Sequence, residues 1–139
     1  VYEGAVGVGV FFGYSASFVL HNSVSYHFSG NSSGPALGGD FDIYLGGAGA
    51  GLVLGPRFTW DFQLGGSAIY VSPFLRMGLG LLFSGGTYPA FNLQFGARVK
   101  FILNNRGVLF IQPLGLEIAA GSGPVVGSYH LLFGYGATF

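Results

Sequence analysis

The stretch RFTWDFQL, residues 57–64, alternates strictly between two kinds of side chain. One face of an extended chain would carry only apolar groups: Phe58, Trp60, Phe62 and Leu64. The opposite face would carry only polar or charged groups: Arg57, Thr59, Asp61 and Gln63. Because side chains in a β-strand point to the same side at every second residue, the stretch predicts a strand between two different environments.

The same alternation recurs along the chain and predicts eight strands, at 3–14, 16–29, 38–47, 50–64, 67–83, 90–103, 107–119 and 128–139. Nine of the ten charged residues fall in these strands, on the face opposite the apolar stripe, and Arg106 falls in the turn 104–107. In the seventh strand the predicted apolar face is Val108, Phe110, Leu114, Leu116 and Ile118. Pro73 and Pro113 lie inside predicted strands, where we expect bulges or ladder ends.

The composition predicts strands that face lipid. Of 139 residues, 7% are charged and 27 are Gly, whereas about 25% of an average soluble domain is charged. No apolar run approaches the roughly 20 residues that a membrane-spanning helix needs. The net charge is zero, so the sequence gives no sign of the basic surface that binds nucleic acid. The chain has no Cys for a disulfide framework or a thiolate metal site. Because the chain begins at Val1 and not Met, we expect a processed or trimmed segment.

Side-chain size indicates which face points inward. The apolar faces carry Phe, Leu, Tyr and Trp, whereas the polar faces are rich in Gly and Ser. A small barrel has a cramped interior that suits small residues and a few paired charges. We therefore predict an all-β fold with one domain, residues 1–139, forming an eight-stranded antiparallel transmembrane up-and-down β-barrel. The alternative is a soluble barrel or sandwich with its apolar face inward.

The C-terminal stretch HLLFGYGATF, 130–139, resembles the C-terminal signal of bacterial outer-membrane β-barrels. That signal has a terminal aromatic residue, matched by Phe139, and a Gly five residues earlier, matched by Gly134; Tyr135 extends the aromatic face, and Ala137 is a weak match. The resemblance, to the small eight-stranded class, implies a bacterial outer-membrane location, contact with the lipid bilayer and lipopolysaccharide, and insertion by the barrel-insertion machinery.

Eight antiparallel strands place both termini on the periplasmic side. Residues 65–66 and 104–106 then form periplasmic turns, and 84–89 and 120–127 form outer loops. The segment GNSSGPAL, 30–37, would be a long connection on the periplasmic side, which leaves the assignment of the second strand open.

Two groups of residues follow from this arrangement. The first is a charge cluster that points into the lumen: Arg57, Asp61, Arg76, Arg98, Lys100 and Glu117. We expect these charges to pair as a plug; the alternative is a narrow solute path. Asp61 and Glu117 are the best available acidic partners for Arg98 and Lys100, and the sequence leaves open which pairs form. The second is a set of aromatic residues expected at the membrane interface: Tyr14, Tyr26, Trp60 and Tyr129.

A hydrolase is a further alternative. His27-Phe28-Ser29 resembles the His-x-Ser of lipid A deacylases, in which a later acidic residue completes a triad, here Asp40 or Asp42. Gly30 departs from the Asn of that family, and the acid is Asp where the family has Glu. No spacing of His and carboxylates predicts a metal site.

We expect a non-enzymatic structural or assembly component of the cell envelope, with no cofactor. Its expected partners are the lipids, the insertion machinery and other envelope proteins, but not nucleic acid. A narrow pore or passage for small or lipophilic molecules is the first alternative, and the deacylase-like hydrolase is the second.

Overall fold

A computed structural model describes residues 1–13, 15–47, 49–104 and 106–139. These ranges contain eight strands: β1 (Tyr2–Phe12), β2 (Ala16–His27), β3 (Gly34–Gly46), β4 (Gly49–Gln63), β5 (Ile69–Phe83), β6 (Thr87–Leu103), β7 (Gly107–Gly121) and β8 (Val126–Thr138). Each strand pairs antiparallel with the next, and β8 pairs with β1, so the sheet closes into a barrel. The predicted all-β, eight-stranded antiparallel fold is confirmed. The described ranges include no helix long and apolar enough to cross a membrane.

The barrel has two ends, named here the terminus end and the distal end. At the terminus end, the Tyr2 N–H donates to the Phe139 carbonyl and the Phe139 N–H donates to the Tyr2 carbonyl, both at 2.9 Å. The connections β2–β3, β4–β5 and β6–β7 join strand ends at this end, and the connections β1–β2, β3–β4, β5–β6 and β7–β8 join strand ends at the distal end. Closure leaves the sheet without an unpaired edge strand.

The second predicted strand is where the alternation placed it. β2 pairs with β3 in continuous register, from Ser17 opposite Gly46 to His27 opposite Ala36. The connection that was expected to span 30–37 is shorter, because β3 already begins at Gly34. A Gly at this position accommodates a φ of 84°, which lies in the left-handed region that residues with a Cβ avoid.

The seventh strand departs from the prediction. Val108 and Phe110 are buried in the interior, so their assignment to the outward apolar face is wrong. The register of β7 against β8 shifts between Gln112 and Leu116, around Pro113. Proline has no N–H for the ladder, and an extra residue in a strand reverses which side chains point inward. At Pro73, where we expected a bulge or a ladder end, the register does not shift. Pro73 pairs with Ala97 of β6, whereas its ladder with β4 is interrupted between Phe74 and Val71.

Two facing glycines on β1 and β8 make room for an interior aromatic ring. Gly7 pairs with Gly134, and the Phe110 ring lies over both. A Cβ on Gly134 would stand 2.6 Å from Phe110 Cζ and 2.2 Å from the Val6 carbonyl oxygen. Neither position can therefore carry a side chain unless the ring and the two strands move apart.

The outward face is apolar and the interior is polar. Large hydrophobic side chains stand exposed around the whole sheet, with Leu79 73% and Phe133 62% exposed. All nine charged residues of the strands are instead less than 5% exposed. This is the reverse of a water-soluble protein, in which charged side chains almost never become fully buried unless they are paired. The polar contents of the interior therefore make up the candidate site.

Candidate functional site

The charged side chains of the strands point into the interior, because inward positions recur at every second residue of each strand. The buried set consists of Glu3, Asp40, Asp42, Arg57, Asp61, Arg76, Arg98, Lys100 and Glu117. It contains all six residues predicted for the lumen cluster. Sequence reasoning placed Glu3, Asp40 and Asp42 on inward faces but did not include them in the cluster. Their positions on the face opposite Val6, Phe41 and Ile43 carry the same signal.

The group nearest the terminus end is built around Lys100. Its ammonium donates to Glu3 Oε1 at 2.9 Å and to Asp61 Oδ2 at 2.8 Å. His27 Nε2 lies 2.7 Å from the same Asp61 oxygen. Glu3, His27 and Asp61 offer ligand atoms within 4.8 Å of one another, a grouping that sequence spacing did not reveal. The Lys100 ammonium supplies positive charge to this group, and Asp61, one of the two acidic partners considered, is in contact with it.

A second group occupies the middle of the barrel. Arg57 Nη1 donates to Asp40 Oδ2 at 3.1 Å and lies 2.8 Å from Asp40 Oδ1. Arg76 donates to Asp42 through Nη1, and its Nη2 donates to Glu117 Oε2 at 3.0 Å. Arg76 thus joins carboxylates from β3 and β7 across the lumen. Because β5 carries Arg76 between those strands, the salt bridges fasten different sides of the barrel together.

His21 connects this group to Arg98. Its Nδ1 lies 2.5 Å from Asp42 Oδ1 and its Nε2 lies 2.9 Å from Arg98 Nη2. A guanidinium can only donate, so Nε2 accepts, and the proton resides on Nδ1, which donates to Asp42. The arrangement therefore requires the neutral form of His21.

Neither of the two acidic partners considered for Arg98, Asp61 and Glu117, forms a salt bridge with it. No carboxylate of the described residues lies within salt-bridge distance of this guanidinium, which instead donates from Nε to Gln112 Oε1 at 2.9 Å. Its Cζ lies 4.9 Å from the centroid of the Phe110 ring and 5.3 Å from that of Phe74. Aromatic faces attract cations, so the two rings substitute for a carboxylate. Sequence reasoning missed this because the register shift in β7 turns Phe110 inward.

The residues considered for hydrolysis are not brought together. Ser29 is exposed in the connection after β2, where its hydroxyl contacts Asn31 and Ser33. His27 contacts Asp61 and neither Asp40 nor Asp42. Those two carboxylates bind Arg57, Arg76 and His21. The arrangement needed to activate a Ser nucleophile is therefore not assembled.

The aromatic residues predicted for an interface lie on the outward face near the two ends. Tyr26 packs on Tyr2, with ring centroids 5.0 Å apart, and Trp60 stacks on Phe62 at 6.0 Å, toward the terminus end. Tyr129 stacks on Phe12 at 6.4 Å toward the distal end. Tyr14, the fourth predicted member, lies outside the described residues.

The proposed C-terminal signal residues occupy two faces of β8. Gly134 is packed against Gly7 and Phe110, as described above. Tyr135 and Phe139 point outward, and the Phe139 ring stacks on Tyr2 with centroids 6.2 Å apart. The two exposed rings form an apolar surface on β8. Recognition of this surface by the barrel-insertion machinery stays a prediction.

At the distal end the interior is not filled. A cavity of about 550 Å³ lies above Tyr44, Asn92 and Glu117, and the distal connections form its rim. We call this cavity the distal cup. Most of the residues that line the distal cup are apolar or small, and its one charged lining residue in the described ranges is Glu117.

No protein family matches the sequence, and no characterised protein matches it at the sequence level. Solved structures do match. Neisserial surface protein A superposes with a TM-score of 0.75 at 16% identity, over 99% of this chain and 97% of that one. The chain has the fold of the small outer-membrane barrels.

Two further structures show the range of this outer-membrane barrel fold. The N-terminal β-barrel domain of Pseudomonas aeruginosa OprF matches with a TM-score of 0.72 at 13% identity, over 99% of this chain and 97% of that one. The outer membrane enzyme PagL matches with a TM-score of 0.60 at 15% identity, over 95% and 97%. Since one of these proteins is an enzyme, the fold alone does not determine function.

Proposed function

We propose that the protein is an integral barrel of a bacterial outer membrane and acts as a closed structural component of the cell envelope. The observation that carries this proposal is the interior network. Arg57, Arg76 and Lys100 each contact a buried carboxylate. The two carboxylates of Arg76 come from β3 and β7, on opposite sides of the barrel, and those of Lys100 come from β1 and β4. Eight strands give an interior just wide enough for side chains to fill.

The membrane location is supported by the outward face and by the fold. Exposed Leu and Phe side chains cover the sheet, and aromatic rings lie toward both ends, where an apolar ring with a polar tip suits the lipid headgroup region. The structural neighbours are bacterial outer-membrane proteins. Lipopolysaccharide and phospholipid are then the molecules that the outward face contacts.

The only Trp of the chain provides a direct test of this location. Trp60 is 44% exposed on the outward face, so acyl chains would contact its indole ring. We expect its fluorescence to be quenched in vesicles whose lipids carry bromine on their acyl chains, relative to matched vesicles without bromine. Protein kept unfolded in urea with the same vesicles is the control and should show no difference. Equal emission from the folded protein in both vesicles would contradict the membrane location.

A structural role predicts defined protein partners. Because the interior is closed and the outward face is continuous, contacts with other envelope proteins would involve that face. After gentle detergent extraction from native membranes, we expect a species much larger than the 14.5 kDa chain with its detergent, containing the same partner proteins in each preparation. A lone monomer would argue against the assembly role.

Conductance distinguishes the closed barrel from a narrow pore. The purified protein in a planar bilayer should show no stepwise current, because buried side chains close the lumen below the distal cup. Current steps that change when Arg98 is replaced by Ala would mean that the interior conducts, and the pore would replace the structural proposal.

A further inference from the structure

The distal cup has the dimensions and the access of a ligand site. Its volume of about 550 Å³ is within the range of small-molecule pockets. Ser15, Ser84 and Ser122, which lie in three of the distal connections, are at its rim. A molecule could thus enter from the distal end without disturbing the salt bridges beneath.

The shape of the cup follows from small inward residues. Gly51, Ala90, Ala119 and Gly121 line the wall at positions where the rest of the barrel carries long charged side chains. Glu117 and Asn92 lie one inward position deeper on β7 and β6 than Ala119 and Ala90. The cup therefore has an apolar wall and a polar floor.

The floor carries a buried carboxylate. Glu117 is the one charged residue among those that line the cup in the described ranges, and it is 97% buried, with an exposure of 3%. Its Oε1 accepts from Asn92 at 2.8 Å and its Oε2 accepts from Arg76 at 3.0 Å, which leaves further lone pairs available. The interior as a whole holds five carboxylates against four Arg and Lys side chains, and Glu117 shares the Arg76 guanidinium with Asp42.

Two aromatic side chains complete the recognition surface. Phe11 and Tyr44 both line the cup and contact each other edge to face, with centroids 5.4 Å apart. Aromatic rings attract organic cations, as do buried carboxylates. The wall, the floor charge and the rings therefore favour the same type of molecule.

We propose that the distal cup binds a small organic cation, with an apolar body against Phe11 and Ala119 and a single protonated amine directed at Glu117. An organic anion is disfavoured by the carboxylate, and a neutral apolar molecule would leave the floor without an added donor. The site is independent of the assembly role, because it uses the interior and not the outward face.

The test uses the full chain in detergent micelles, with backbone amide signals followed by NMR. The probe is 1-naphthylmethylammonium, and its neutral counterpart is 1-naphthalenemethanol, which has the same apolar body. We expect the ammonium to produce saturable shifts at Asn92, Glu117 and Ala119. The alcohol should bind about tenfold more weakly, since a hydrogen bond to a charged group contributes more than one between neutral groups.

Two variants and a control locate the site. Glu117→Gln keeps the acceptor for Asn92 but removes the charge, and it should weaken ammonium binding about tenfold while leaving alcohol binding unchanged. Ala119→Phe should abolish saturable binding of both probes by filling the cup. Ala137→Phe makes the same substitution on the outward face at the terminus end and should retain wild-type binding. A dispersed amide spectrum shows that each variant is folded.

Several results would overturn the proposal. The first is amide shifts that increase without saturation and spread over outward residues, as expected for partition of the probe into the micelle. The second is equal affinity for the ammonium and the alcohol. The third is unchanged ammonium binding by Glu117→Gln or by folded Ala119→Phe. The comparison of the two probes uses the wild-type chain and so decides the matter even if a variant fails to fold. None of these results bears on conductance or on protein partners, which test the structural proposal separately.

Discussion

Replacement of Arg76 by Met is expected to lower the free energy of unfolding by about 3–5 kcal/mol. Arg76 is 1% exposed and donates to Asp42 and Glu117, which belong to β3 and β7. Met fills part of the same volume but leaves both carboxylates without this cation. A buried charge that loses its partner costs more than the pair contributed, because its desolvation is no longer offset.

The measurement is urea-induced unfolding of the barrel in detergent micelles, followed by Trp60 fluorescence. Arg106→Met is the matched control, since Arg106 is exposed in the connection between β6 and β7, and it should change stability by no more than about 0.5 kcal/mol. Adding Asp42→Asn and Glu117→Gln to the Arg76→Met chain should restore part of the loss. If the triple variant were no more stable than Arg76→Met alone, lost packing and not uncompensated charge would explain the effect.

Replacement of Gly134 by Val is expected to lower the free energy of unfolding by about 3 kcal/mol or more, because it overpacks the seam between β1 and β8. The new Cβ would lie 2.2 Å from the Val6 carbonyl oxygen and 2.6 Å from Phe110 Cζ. A ring can rotate away, but a backbone carbonyl can move only if the strands separate. Displacement of Phe110 would also remove one of the two rings that contact Arg98.

Gly127→Val on the same strand provides the control. A Cβ at Gly127 meets nothing within 4 Å, and Val is a favourable residue in strands. The two variants can be compared by urea unfolding and by the fraction that refolds after dilution into detergent. Equal stability of the two would show that the seam between β1 and β8 tolerates a side chain, contrary to the contacts described here.

The alternation of side chains was sufficient to predict the strands, because one face of every strand differs in polarity from the other. The stretch 57–64 illustrates this, since each of its charged residues is buried and each of its aromatic residues is exposed. The rule failed at 108–110, where the register shift around Pro113 reverses the inward positions. A proline in a strand signals an irregularity, but the sequence does not say whether the register shifts, as at Pro113, or is kept, as at Pro73.

The members of the interior cluster could be predicted, whereas their pairing could not. Which charges meet depends on the register and on the distance across the lumen. Lys100 contacts Glu3, which is 97 residues away in the sequence, and this contact exists only because the sheet closes. The stacking of Arg98 and the distal cup are also products of closure, since each combines side chains from several strands.

Pairing of the first strand with the last has a consequence for how the protein forms. The hydrogen bonds between Tyr2 and Phe139 join the two ends of the described chain, so the ring cannot close before β8 has been synthesised and delivered. Until then β1 presents an unpaired edge, and in hydrocarbon each unsatisfied backbone group costs several kcal/mol. In the proposed membrane location, we therefore expect insertion to be nearly all-or-none, with no stable half-inserted sheet. We also expect nascent β1 to be shielded from other open edges while the remainder of the chain is made.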